Sequence, residues 1–243
     1  MALPSECGGA IAVERGAVNE PWEAMTMARR WITLGVNLAL AAIILTVWLK
    51  SVFRVDIRGA LTAPGLRSLK YFTVLSNLLQ AAASLATSLW LARLLCGRSE
   101  ALPGAVMALR YAAVTSVALT FFTVAVFLGP PCGYRGMYTD SNLWFHLLVP
   151  IVSAVDFCFI EREGALPPGA WLWALVPMLL YAVGYTVNLF ARGMAPSADW
   201  YGFAKGGSLR MALISFVTVA LSTGLLAWLL GLARRIGQAG ALA

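Results

Sequence analysis

Charge is what this chain has least of: of 243 residues only 12% are Asp, Glu, Lys or Arg, against 60% that are hydrophobic. It has one histidine, His146, and four cysteines. Each scarcity removes a class of function. A single histidine with no HExxH and no clustered acids leaves an intramembrane metal centre without ligands, and no metal or other cofactor is expected. Cys7, Cys96, Cys132 and Cys158 show no CxxC and no paired spacing, so neither a disulfide framework nor a zinc site is signalled. The glycine patterns of nucleotide sites are missing, and AKGGS at 204–208 is too short to cradle a phosphate. The last apolar run holds no lysine for a retinal Schiff base. The first 28 residues carry four glutamates and no apolar core of a signal peptide, so 1–28 reads as a polar N-terminal tail.

What the chain does have is long apolar runs, at about 31–50, 69–93, 105–129, 142–160, 170–190 and 209–232. Each approaches the ~20 residues that cross ~30 Å of hydrocarbon. The connections are short, there is no internal repeat, and backbone exposed to lipid must satisfy its own hydrogen bonds. These features predict an all-α fold, a polytopic six-transmembrane-helix bundle over 29–235 with antiparallel neighbours and a short tail at 236–243. The net charge of +7 does not imply nucleic acid, because the basic residues lie mostly between the apolar runs, where they meet headgroups. Membrane lipids are the expected surroundings. The excess of basic residues on cytoplasmic loops does not orient the bundle, since nine Lys or Arg fall on each side, Arg110 and Arg234 being counted as end residues. An even number of spans places both termini on one side.

Polar side chains inside the spans recur at helical spacing. Thr73, Asn77, Gln80 and Ser84 follow i, i+4, i+7 and i+11 in the second span. Asn142, His146, Ser153 and Asp156 do the same in the fourth, and Tyr181, Tyr185, Asn188 and Arg192 in the fifth. Such stripes avoid hydrocarbon and should converge on one polar seam. At ~1.5 Å per residue, Thr73 lies roughly 12 Å, His146 roughly 9 Å and Asn188 roughly 12 Å from the midpoints of their spans, all in one leaflet. Asp156 is displaced from His146 by ~15 Å along the same helix, which bars it from orienting that imidazole. It is a buried polar anchor, a relay site, or the partner of a cation that no span interior supplies.

Two readings of this seam compete. Serine, threonine and asparagine in membrane helices commonly pack and hydrogen-bond between helices, whereas an intramembrane histidine is a functional candidate by default. A threonine hydroxyl becomes a nucleophile when a base takes its proton, and imidazole is the usual base. Thr73 and His146 are therefore the candidate catalytic pair. Asn77, Asn142, Tyr185 and Asn188 are candidate donors for an oxyanion or for orienting substrate, and Gln80 and Asp156 are further buried polar groups. The rival is a small transporter or lipophilic-ligand-binding protein that uses His146 and Asp156.

YFTVLSN at the start of the second span, FHLLVP followed by SAVDF in the fourth, and the Tyr-rich fifth span ending in ARG resemble the androgen-induced-gene family of multipass membrane proteins, over roughly 30–232. The resemblance implies an intramembrane threonine hydrolase that cleaves fatty acid esters of hydroxy fatty acids, with Thr73 of YFTVLSN as nucleophile and His146 of FHLLVP as base. It implies a lipid ester as the substrate partner and, for a bacterial-type relative, the cell membrane. A related branch uses a cysteine nucleophile, and no cysteine occupies that position in the second span here.

Overall fold

In a computed structural model of the chain, residues 21–53, 65–98, 101–205 and 207–239 are described, the side chains of 21–25, 132 and 239 excepted. Most of the predicted N-terminal tail, Cys7, and the loop arginines Arg54 and Arg58 lie outside them. The described part is all-α, without a strand. Its six long helices are α1 (Pro21–Phe53), α2 (Phe72–Leu95), α3 (Gly104–Pro131), α4 (Asp140–Ile160), α5 (Ala170–Ala191) and α6 (Leu209–Ala239). Each contains a stretch long and apolar enough to cross a membrane, so this is a multi-pass membrane protein by length and composition. The outer boundaries differ from those read in the sequence. The first helix is already formed at Pro21, the first described residue, inside the expected tail. The last helix continues to Ala239, past the expected start of the C-terminal tail.

The third helix is the centre of the bundle. Over half of its most apolar window, 56%, is buried, against 11% for α6, so lipid faces the sixth helix and protein surrounds the third. It packs against α2, α4, α5 and α6, while α1 packs mainly on α2. Small residues allow this close approach: Ala112, Ala113, Ser116 and Ala118 of α3 are buried. The sixth helix reaches the fourth in the same way. A Cβ on Gly237 would collide with the backbone carbonyl of Cys158.

Wide turns interrupt two of these helices for a reason visible in the sequence. The chain adopts π-helical geometry at Val124–Leu128 and Trp144–Leu148, just ahead of Pro130-Pro131 and Pro150 respectively. A proline ring has no N–H to give and crowds the carbonyl four residues earlier, so the helix loosens there. For Pro150 that earlier residue is His146. A third π turn, Asp156–Ile160, closes α4 without a proline, and the Glu161 N–H caps it by donating to the Asp156 carbonyl at 2.8 Å.

Candidate functional site

Thr73 lies in the first turn of α2, half-buried, on the wall of a small cavity of about 60 Å³ that it shares with Thr120, Thr123, Met178, Tyr181 and Tyr201. The ring beside it belongs to Tyr201, from the connection between α5 and α6. The Tyr201 hydroxyl accepts the Phe72 N–H at 2.9 Å. Burial raises the pKa of this phenol, and hydrogen bonding with Phe72, Tyr181 and Thr73 opposes the rise without reversing it. Tyr201 is therefore a neutral phenol next to the Thr73 hydroxyl. It carries no periodic signal, because it lies in a loop rather than on a helical stripe.

His146 is nearly enclosed, at 8% exposure, in the wide turn ahead of Pro150. Its Nδ1 lies 3.0 Å from the Met137 carbonyl. A carbonyl only accepts, so Nδ1 carries the proton and Nε2 holds the lone pair, the arrangement a general base requires. Asn142, one turn earlier, is buried and donates to the Gly136 carbonyl at 3.1 Å, fixing the turn that brings Met137 back over the ring.

Asn77 ties the two halves together. Its side-chain amide donates to the Thr73 carbonyl at 2.7 Å and to the Phe145 carbonyl at 3.3 Å, so the first turn of α2 is joined to the residue preceding His146. Both amide hydrogens are spent on these bonds, while the side-chain oxygen is buried without a partner. This corrects the expectation that Asn77 is an oxyanion donor: it positions the pair. No hydrogen bond joins Thr73 directly to His146 among the described residues. Farther down the same stripe Gln80 donates to the Ser84 hydroxyl at 3.0 Å, and the Thr120 and Ser76 hydroxyls meet at 3.0 Å across α2 and α3.

Of the fifth-helix stripe, Tyr181 reaches the Thr73 cavity, whereas Tyr185 and Asn188 bond elsewhere. Tyr185 donates to the Asp199 carboxylate at 2.5 Å and Asn188 to the Ala198 carbonyl at 3.2 Å, so both hold the segment that folds back between α5 and α6. The same carboxylate accepts the N–H groups of Phe203 and Ala204, each at 2.8 Å. Tyr185 and Asn188 therefore shape the loop carrying Tyr201, and their expected role as oxyanion donors is withdrawn. A hairpin of loop onto helix has no period, which is why the stripe misled.

Asp156 has the cation that the sequence reading did not find. Arg110 of α3, assigned there to the membrane surface, is fully buried and pairs with both Asp156 and Glu161. Asn37 of α1 adds a donor to Asp156 at 2.9 Å and accepts from Arg110 at 2.5 Å. Arg234 of α6, also counted as a surface residue, is buried beside Glu161 at 3.7 Å and donates to the Phe157 carbonyl at 2.5 Å. Two arginines and two carboxylates make a neutral set joining α1, α3, α4 and α6. It occupies the end of the bundle opposite Thr73 and His146. With Arg110 and Arg234 inside the protein, the tied count of basic residues no longer measures headgroup contacts.

Among the described residues no group of three or more His, Cys, Asp or Glu is placed to hold a metal. Comparison of the chain with protein-family models, curated proteins and solved structures finds no match.

Proposed function

We propose that the chain is an intramembrane hydrolase of a lipid ester, of the kind its resemblance to the androgen-induced-gene family implies, with Thr73 as nucleophile and His146 as base. The observation that supports it most is the His146 tautomer: the Met137 carbonyl holds the Nδ1 proton and leaves Nε2 basic, in a helix whose first wide turn is bridged to Thr73 by Asn77. Catalytic hydrogen bonds commonly tighten only when substrate is present, so the absence of one between Thr73 and His146 is compatible with the role. In the reaction the Thr73 hydroxyl oxygen bonds to the ester carbonyl carbon while Nε2 of His146 takes its proton. The proton then passes to the departing alcohol oxygen as the ester bond breaks, leaving an acyl-Thr73. Water adds to that carbonyl with His146 again as base, and the carboxylic acid and the free hydroxyl are released. Tyr201, a neutral phenol on the same cavity wall, supplies the donor to the oxyanion that Asn77 cannot.

The alternative, a transporter or ligand-binding protein relaying through His146 and Asp156, is weakened because Asp156 is committed to Arg110 and Asn37. Turnover of a long-chain ester of a hydroxy fatty acid by the purified protein tests the proposal. Thr73→Ala and His146→Ala should each abolish turnover while the helical content is retained, and Thr73→Ser should keep part of it. Transport or ligand binding that requires Asp156 but tolerates Thr73→Val would overturn it.

A further inference from the structure

A long groove on the lipid-facing side runs along α5, facing α2 over one part and α3 over the other. One part, about 430 Å³, is floored by Leu75, Leu79, Pro177, Leu180 and Gly184 and ends at Lys70 and Trp200. A second part, about 720 Å³, shares Leu79, Pro177 and Leu180 with the first and continues past Trp173 to Gly104 and Pro167 at the other end of the bundle. Gly184 leaves it open, because nothing lies within 4 Å of the position a Cβ would take there. Trp173 to Gly184 alone covers ~16 Å of helix, more than half of a ~30 Å hydrocarbon layer. The groove therefore passes the midplane, where the paired chains of an ordinary leaflet lipid stop.

Its mouth carries charge of one sign. Lys70 is exposed, and its ammonium lies 4.9 Å from the Tyr71 ring centroid and 5.3 Å from that of Trp200. No carboxylate pairs with it among the described residues. The aromatic rings hold the cation at the depth of headgroups without neutralising it, as cation–π contacts do. The groove is separate from the Thr73 cavity: the edge-on pair of Phe72 and Tyr181, centroids 5.2 Å apart, forms the wall they share.

We propose that this groove binds a single-chain lipid carboxylate, a long-chain fatty acid anion whose carboxylate rests on Lys70 and whose chain lies along α5, from α2 toward α3, past the midplane. The proposal does not depend on the hydrolase reading. The test uses a fatty acid with a photoreactive diazirine midway along its chain, added to the full-length protein in neutral phosphatidylcholine nanodiscs and mapped by peptide mass spectrometry. Saturable labelling concentrated on 75–79 and 177–184 is expected. Lys70→Gln, or the methyl ester of the same probe, should lower it about fivefold, the factor for ~1 kcal/mol from one interfacial cation. Thr73→Val should label as the parent does, which keeps this outcome distinct from any loss of ester turnover. Labelling spread over all six helices, or unchanged by both Lys70→Gln and the methyl ester, would overturn the proposal. So would displacement by a two-chain anionic phospholipid at lower concentration than by unlabelled fatty acid.

Discussion

Replacing Asp156 by alanine removes one charge from a set that the structure balances at two arginines against two carboxylates. Arg110 and Asp156 are both 0% exposed, so water cannot take over the lost interaction. Arg110 would keep Glu161, but Glu161 is also the partner of Arg234, and one carboxylate then faces two cations. Removing one member of a buried ion pair costs about 3–5 kcal/mol, most of it the burden of the charge left behind. The bond from Asn37 is lost with the carboxylate, worth about another 1 kcal/mol. The assay is equilibrium unfolding in detergent micelles followed by far-ultraviolet circular dichroism. Asp156→Ala should be destabilised by about 4–6 kcal/mol. The double variant Arg110→Met, Asp156→Leu leaves Arg234 and Glu161 as a neutral pair, so its cost should fall short of the sum of the two single losses by ~2 kcal/mol or more. A single variant within ~0.5 kcal/mol of the parent, or strict additivity in the cycle, would refute the reasoning.

Other substitutions follow from the same geometry. Gly237→Ala drives a methyl group into the Cys158 carbonyl and should separate the ends of α4 and α6, lowering the unfolding midpoint by an amount typical of overpacking, about 1–3 kcal/mol. Asp199→Ala frees two backbone N–H groups and the Tyr185 hydroxyl together, so limited proteolysis should cut the connection between α5 and α6 faster, whereas Tyr185→Phe, losing one bond to a charged acceptor at about 1.5–3 kcal/mol and the weaker 3.2 Å bond from the Tyr201 N–H, should have a smaller effect. Glu163→Gln breaks a 2.6 Å contact with Arg30 whose side chains are 25% and 17% exposed, and should shift stability by no more than about 1 kcal/mol in the same unfolding assay.

The six spans were legible because lipid imposes a coarse rule: a run of apolar residues of sufficient length reads as a helix whatever packs against it. The third span, read as 105–129, is Gly104–Pro131, and the fifth, read as 170–190, is Ala170–Ala191. Proximity within the candidate site was legible only in part. The shared layer of Thr73 and His146 follows from rise per residue, but which hydrogen each amide spends does not, and Asn77 turned out to have none to spare. Arg110 and Arg234 were hidden by position. An arginine near the end of an apolar run has the same sequence signature whether it reaches the headgroups or turns inward to a carboxylate. Tyr201 was hidden differently, since a loop that folds back on α5 leaves no repeat for a stripe to reveal.

Reaction with a fluorophosphonate that phosphonylates activated hydroxyls with loss of fluoride, followed by peptide mapping, tests the central proposal most directly. One equivalent of label on Thr73, lost in Thr73→Ala and in His146→Ala with helical content intact, is the predicted result. Label that persists undiminished in both variants, or none on Thr73 in the parent protein, would contradict it.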